Sequence, residues 1–220
     1  MKWSELRSKC RRKSDYIITL FITNEVSLLL TWMLTKTRVT PNQVTVASML
    51  CGLLCGFCYS LGWFLIGSVL LFLSHVLDCT DGNLSRAKDM FSSLGKWLDV
   101  VGDRSREVFV FLGVSLYFFK TDASEVWVFL SLFDGLILLL YFYIVDIGLV
   151  LGVSEAEQKL TTVKFKGVKV KWGLLEPAIY GFIVLTPCGL LKAQIVMICI
   201  LGSAGIVYQA GKAYAFHKTS

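Results

Sequence analysis

The segment from Asp78 to Asp103 reads DCTDGNLSRAKDMFSSLGKWLDVVGD and sets four carboxylates, Asp78, Asp81, Asp99 and Asp103, at the edges of apolar runs. An ionised carboxylate at a membrane edge is costly unless something compensates it, and four together call for cations. Asp78 and Asp81 are three apart and Asp99 and Asp103 four apart, so each pair shares one face of a helix. If one helix descends to the membrane boundary and the next rises from it, the two faces converge at similar depth. The result is a cage of hard oxygen donors suited to Mg²⁺ or Mn²⁺, which would in turn hold a pyrophosphate. Gly82, beside Asp81, and Gly95, four residues before Asp99, would let a nucleotide approach the helix backbones closely. Arg86 is placed to pair with a phosphate. The competing structural reading is that the acids merely pair with Arg86, Lys88, Lys96, Arg104 and Arg106 at a helix boundary.

The elements that must position these residues are apolar helices. Of 220 residues, 55% are hydrophobic and only 17% charged, too apolar for an ordinary soluble domain. At about 20 apolar residues per crossing, crossings are expected near residues 44–61, 62–84, 95–119, 125–150, 173–189 and 191–214. That is an all-α integral membrane protein with six transmembrane helices, forming one domain over residues 44–216 behind an N-terminal segment, 1–43. The short gaps on one side hold only Lys120 and, at the next helix start, Lys192, whereas the other 20 of the 22 Lys and Arg residues lie at the opposite side. The positive-inside rule then puts both termini, and the acid cluster, in the cytoplasm. This placement accounts for the net charge of +6 as membrane topology, and no nucleic-acid partner is expected. The seven cysteines are odd in number and mostly within apolar stretches, so reduced thiols are expected rather than a disulfide framework.

Within residues 1–43, Thr19, Thr23, Ser27, Thr31 and Thr35 recur at intervals of four on an otherwise apolar helix that follows Arg11, Arg12 and Lys13. This stripe predicts an amphipathic helix lying on the cytoplasmic leaflet. A seventh crossing here would put the termini on opposite sides, against the charge count. Asn24 and Glu25 interrupt the apolar run, so no cleavable signal peptide is expected. Thr40-Pro41-Asn42-Gln43 then reads as a helix start, with Thr40 as N-cap, Pro41 at the first helical position and Gln43 completing a capping box.

The aspartate segment resembles the signature of the CDP-alcohol phosphotransferases, Asp-x2-Asp-Gly-x2-Ala-Arg-x8-Gly-x3-Asp-x3-Asp. Asp78, Asp81, Gly82, Arg86, Gly95, Asp99 and Asp103 match it at every spacing; Ser85 stands where the family usually has Ala. Seven fixed residues at roughly one in twenty each give a chance match on the order of one in a billion per starting point. The resemblance implies that Asp78, Asp81 and Asp99 ligate two Mg²⁺ or Mn²⁺ ions. It implies further that Asp103, also near the metals, is the general base, and that Asp78, Asp81, Gly82, Ser85, Arg86 and Gly95 bind the CDP moiety. The expected activity moves a phospho-alcohol group from a CDP-linked donor, CDP-diacylglycerol or a CDP-linked head group, to an alcohol acceptor with release of CMP. That is a step of phospholipid or inositol-type phosphodiester synthesis at the membrane lipid. Arg104 after Asp103 looks more like the inositol-phosphate-related members than the choline and ethanolamine transferases. A homodimer is expected, partly from the resemblance and partly because Gly52, Gly56 and other small residues offer close-packing faces.

Acids inside a membrane also mark ion pathways, so a non-enzymatic divalent-cation transporter is the alternative from a different class. A pathway would string acids through the membrane depth, whereas these four cluster near one face. Cys51-x3-Cys55-x2-Cys58 has an iron–sulfur spacing but falls inside a continuous apolar helix beside Gly52 and Gly56, where helix packing is the simpler account. His75 is read as a packed or hydrogen-bonded residue, and Asp134, in mid-membrane, as a structural hydrogen-bonding group. Val163 to Trp172 alternates apolar and basic residues around Gly167 and predicts a short cytoplasmic hairpin whose lysines meet anionic lipid or substrate.

Overall fold

The computed structural model describes residues 2–10, 14–121, 124–150, 162–165, 168–171 and 174–219. A short helix α1 (Trp3–Lys9) leads to a π-helical turn at Thr19–Thr23 that runs on into α2 (Asn24–Leu34). Among the described residues six further helices follow: α3 (Pro41–Ser60), α4 (Phe64–Lys88), α5 (Ser93–Lys120), α6 (Glu125–Val150), α7 (Leu175–Leu185) and α8 (Leu191–Thr219). The start of α3 is the expected one: Thr40 Oγ1 accepts from the Gln43 amide, Gln43 Oε1 accepts from the Thr40 amide at 2.9 Å, and Pro41 opens the helix. Gly62, at φ +74, makes the tight turn into α4.

The predicted hairpin is present as β2 (Thr162–Phe165) antiparallel to β3 (Val168–Lys171), and β1 (Ser14–Tyr16) adds to β3 in parallel. Its turn residues Lys166 and Gly167, its end at Trp172, and Arg11 to Lys13 lie outside the described residues.

Six helices occupy the places expected for crossings, but among the described residues four are long and apolar enough to cross a membrane: α3, α4, α6 and α8. The reasons differ for the other two. α5 has 28 residues, yet its first fifteen carry Lys96, Asp99, Asp103, Arg104, Arg106 and Glu107. α7 has 11 residues, about 16 Å at 1.5 Å per residue, against a hydrocarbon core of about 30 Å.

The core is built around α3, α4 and α5. Tyr59 is fully buried, with its hydroxyl 3.1 Å from Ser68 Oγ and 3.3 Å from the Phe182 carbonyl of α7. Where α3 meets α5 the backbones touch: a Cβ at Gly56 would collide with the Phe109 carbonyl, and one at Gly113 with the Gly56 carbonyl. A Cβ at Gly52 would lie 2.9 Å from the Arg106 side chain. Gly52 and Gly56 are therefore used inside the chain, and they do not supply the dimer-forming faces expected of them.

A second expectation changes at α2. Thr19, Thr23, Ser27 and Thr31 are buried, while Phe21, Ile22, Val26, Leu29 and Met33 are exposed. The polar stripe turns toward the protein because polar partners wait there: Tyr180 Oη for Thr23, Tyr180 Oη and His75 Nε2 for Thr19 (both 3.3 Å), and Asn83 for Ser27 (2.8 Å). An amphipathic helix facing water with that stripe would leave these groups unpaired. His75 is thus a hydrogen-bonded, packed residue, edge-on to Tyr180. Asp134 differs from its expectation, for it is fully buried in α6 and neither carboxylate oxygen has a hydrogen-bond partner among the described residues.

Two substitutions should move stability in opposite directions in detergent. Gly113→Ala, which forces the α3 and α5 backbones apart, should cost about 1–3 kcal/mol. Asp134→Ala removes an unsatisfied buried group worth about 1–3 kcal/mol and should raise Tm by several degrees. Thermal unfolding by intrinsic fluorescence reads both, and a lowered Tm for Asp134→Ala would show that its carboxylate is paired after all.

Candidate metal and nucleotide site

The end of α4 and the start of α5 carry the aspartates because of how the turn between them is made. Asp89 adopts a left-handed conformation at φ 55 and closes α4, with the Met90 amide bonded back to the Ser85 carbonyl at 2.9 Å. Ser92 then caps α5, its hydroxyl accepting from the Gly95 amide at 2.9 Å. Lys88 Nζ donates to the Thr37 and Val39 carbonyls at 2.9 and 2.8 Å and ties the segment leading to α3 against this turn. Three helix ends therefore meet at one place.

There Asp78, Asp81 and Asp99 each offer a carboxylate oxygen, all within 4.8 Å of one another. Asp81 is buried, Asp78 half-buried and Asp99 exposed, so the cluster opens outward at the α5 side. Thr45 of α3 donates to Asp81 Oδ2 and orients that carboxylate. The donor set is hard, anionic oxygen, which fits a divalent cation of the Mg²⁺ or Mn²⁺ kind.

Asp103 stands one turn further along α5 and is not one of these three. It pairs with Arg106, whose Nη2 donates to Asp103 Oδ1. Arg106 is 4% exposed, lies against Gly52 and also reaches Ser74 Oγ at 3.4 Å. Asp103 still acts electrostatically on Asp78, together with Arg106, Asp81 and Asp99. The neighbouring Arg104 makes a two-pronged contact with Glu107 at 2.9 Å and lies 4.3 Å over the Phe142 ring, so it faces away from the cluster.

Beside the cluster an open cleft is lined by Asp81, Gly82, Ser85, Gly95 and Asp99 of the signature segment. Pro41, Asn42, Thr45, Met90, Phe91, Ser92 and Lys96 complete it. A Cβ at Gly95 would sit 2.9 Å from both Asn42 Oδ1 and Ser92 Oγ, so the cleft wall there admits no side chain. The first turn of α5 opens onto the same space, and the positive end of its helix dipole favours anionic groups there. Arg86 does not line the cleft but lies next to it, its guanidinium 3.6 to 3.8 Å from where a Gly82 Cβ would be. Four of the six expected CDP-contacting residues thus border one cavity, Asp78 joins it through the metal cluster, and Arg86 stands behind Gly82.

Sequence reasoning missed Thr45, Asn42 and Arg106. The helix start at Thr40 to Gln43 was visible, but nothing local says that this start abuts the aspartate turn. Arg106 was visible only as one of several charges near the acids.

Because Arg106 and Asp103 are a mostly buried pair, removing one partner should be far worse than removing both. Arg106→Leu should lose about 3–5 kcal/mol, and Asp103→Leu in the same chain should recover much of that loss. Chemical or thermal unfolding of the two single variants and the double variant checks this; additive losses would show that the pair is not coupled.

Comparison with known proteins agrees with this geometry. The sequence profile of the CDP-alcohol phosphatidyltransferase family matches residues 38–207. Phosphatidylinositol phosphate synthase of Cutibacterium acnes is 34% identical over 95 residues, 43% of this chain and 46% of that protein. A bifunctional IPC transferase and DIPP synthase of Aquifex aeolicus is 35% identical over 101 residues, 44% of this chain and 23% of that protein. The chain therefore spans less than half the length of each of these two relatives. Among solved structures, phosphatidylinositol phosphate synthase of Mycobacterium tuberculosis with CDP-DAG bound superposes with a TM-score of 0.64 at 17% identity, covering 88% of this chain and 94% of that one. That likeness is one of fold. With the family profile spanning the helix start at Thr40, the whole signature and the full lengths of α3 to α7, this chain belongs to the CDP-alcohol phosphatidyltransferase family.

Proposed function

We propose that this protein is a Mg²⁺- or Mn²⁺-dependent membrane transferase that moves a phospho-alcohol group from a CDP-activated donor to an alcohol acceptor and releases CMP. The observation that carries this reading is the meeting of Asp78, Asp81 and Asp99 at the side of a cleft walled by Gly82, Ser85 and Gly95. Asp78, Asp81 and Asp99 would hold the metal, which would neutralise the pyrophosphate and the departing CMP. The cleft residues Gly82, Ser85 and Gly95 admit the nucleotide, and Arg86 supplies positive charge behind Gly82. Asp103 takes the proton of the acceptor hydroxyl. Its Oδ1 is held by Arg106, which leaves Oδ2 as the accepting atom.

The donor we favour is CDP-diacylglycerol, with a water-soluble acceptor of the inositol-phosphate class. Met90 and Phe91 line the cleft, and with Leu94 and Trp97 they form an exposed apolar rim beside it, Phe91 at 66% and Trp97 at 60% exposure. Such a rim fits a lipid-borne donor that enters from the bilayer. The relatives in phosphatidylinositol phosphate synthesis point to the acceptor. In this reading all six helices from α3 to α8 cross the membrane, α5 and α7 with help from their neighbours. Both termini and the site then face the cytoplasm, α2 lies at the interface, and the protein is a homodimer through faces other than Gly52 and Gly56. A cation pathway would need acids strung through the bundle. Here the signature carboxylates gather at one end, which favours the transferase.

Purified protein should release CMP from CDP-diacylglycerol in the presence of an inositol phosphate and Mg²⁺ or Mn²⁺, and excess EDTA should stop it. Turnover undiminished by EDTA would sink the metal assignment, and release only from CDP-linked head groups would sink the donor assignment. Asp103→Asn should bind CDP-diacylglycerol with little loss while transfer falls on the order of 10²-fold or more. Asp78→Asn should weaken both, since it removes a metal ligand. Calorimetric donor binding beside turnover separates the two. Near-normal transfer by Asp103→Asn, or equal loss of binding in both variants, would make Asp103 something other than the base.

A further inference from the structure

Arg86, the one cation of the signature, does not reach its place behind Gly82 unaided. Its Nη2 donates to Asn83 Oδ1 at 2.7 Å, and Asn83 is fully buried on the side of α4 that packs on α2. A guanidinium has only donors, so the amide oxygen of Asn83 must face it and the amide nitrogen must point the other way. That nitrogen therefore needs acceptors. α2 provides two: Ser27 Oγ at 2.8 Å and Asn24 Oδ1 at 3.3 Å. Asn24 and Ser27 are three residues apart on one helix face, and both are buried. A third contact fixes the backbone at the same residue, for Cys10 Sγ donates to the Asn83 carbonyl at 3.3 Å. Outside this core, Arg7 pairs with Glu25 at 2.6 Å and Lys9 with Asp89 at 2.8 Å, clamping α1 to α2 and to the α4 turn.

The signature leaves position 83 open, and Asn24 and Ser27 precede the family match altogether. Neither is required by membrane anchoring, since the outward face of α2 is apolar and the polar stripe is hidden. We propose that Asn83 is a positioning residue of the donor site, aiming Arg86 past Gly82, and that α2 belongs to that site through Asn24 and Ser27. The inference rests on the transferase reading above, which makes Arg86 a phosphate-facing group.

A buried amide that orients a charged donor should affect binding of the anionic nucleotide more than the rate once it is bound. Asn83→Leu should raise the donor KM and the Kd for CDP with Mn²⁺ present by about tenfold or more, while kcat at saturating donor changes less than about twofold. Ser27→Ala, on a helix that does not line the cleft, should shift KM in the same direction by a smaller factor, and Ser27→Thr, which keeps the hydroxyl, should restore it. The decisive readout is coupling: in an Arg86→Leu background, Asn83→Leu should add nothing further to KM or Kd. If Asn83→Leu weakens CDP binding equally in the wild-type and Arg86→Leu backgrounds, or if it lowers kcat with KM unchanged, the positioning role is wrong. Should Asn83→Leu fail to fold, the Ser27→Ala and Arg86→Leu pair carries the same cycle. A wild-type protein that binds no CDP with Mn²⁺ would overturn the transferase reading itself and this inference with it; CDP binding unaffected by Asn83→Leu and Ser27→Ala overturns only the inference.

Discussion

Like charges held together inside a helical bundle are what the rest of this structure answers to. Three carboxylates with oxygens within 4.8 Å repel one another by on the order of 3 kcal/mol per ionised pair at an effective dielectric constant near 20. Nothing about α4 and α5 alone would keep their ends together against that. The answer is α3, which lies between them and grips both. It holds α4 through Thr45 on Asp81 and Ser48 on the Ser74 carbonyl at 2.9 Å. It holds α5 through the backbone contacts of Gly56 and the seat that Gly52 gives Arg106. Arg106 in turn places a positive charge beside Asp103. The glycines of α3 and α5 are thus a condition of the cluster, since helices kept apart by side chains would hold the three carboxylates further from one another.

The same logic extends to the N-terminal segment. α2 turns its hydroxyls and amides inward, where Asn83, His75 and Tyr180 need partners, and leaves an apolar face outside. In water this would be an inverted helix; against lipid it is the favourable arrangement, because Thr19, Thr23 and Ser27 find their hydrogen-bond partners within the protein. The segment before α3 is therefore a brace for the far side of α4, opposite the side gripped by α3. Asp134 stands apart as a buried acid with no hydrogen bond to either carboxylate oxygen among the described residues.

Much of this could be read from the residues. Helical periodicity puts Asp78 and Asp81 on one face, and they meet Asp99 once α3 brings the helix ends together, whereas Asp103, expected in the same cage, pairs with Arg106. The capping box at Thr40 is a purely local rule and appears where the sequence puts it. Helix positions followed from apolar run length. What could not be read was direction. A four-residue stripe says that Thr19 to Thr31 share a face, not whether water or protein lies across it, and small residues such as Gly52 and Gly56 fit an interchain contact as well as an intrachain one. Thr45 and Arg106 escaped for a related reason: their roles come from which helix packs on which, a long-range fact with no local mark.

If the three carboxylates and the adjoining cleft form one site, a metal ion and a cytidine nucleotide must bind there together. Electron paramagnetic resonance of Mn²⁺ titrated into the purified protein, with and without CDP, addresses this directly. The expected result is that Mn²⁺ binds, that CDP tightens the binding and alters the spectrum, and that Asp81→Asn abolishes both effects. Mn²⁺ binding that is indifferent to CDP, or that survives unchanged in Asp81→Asn, would contradict it.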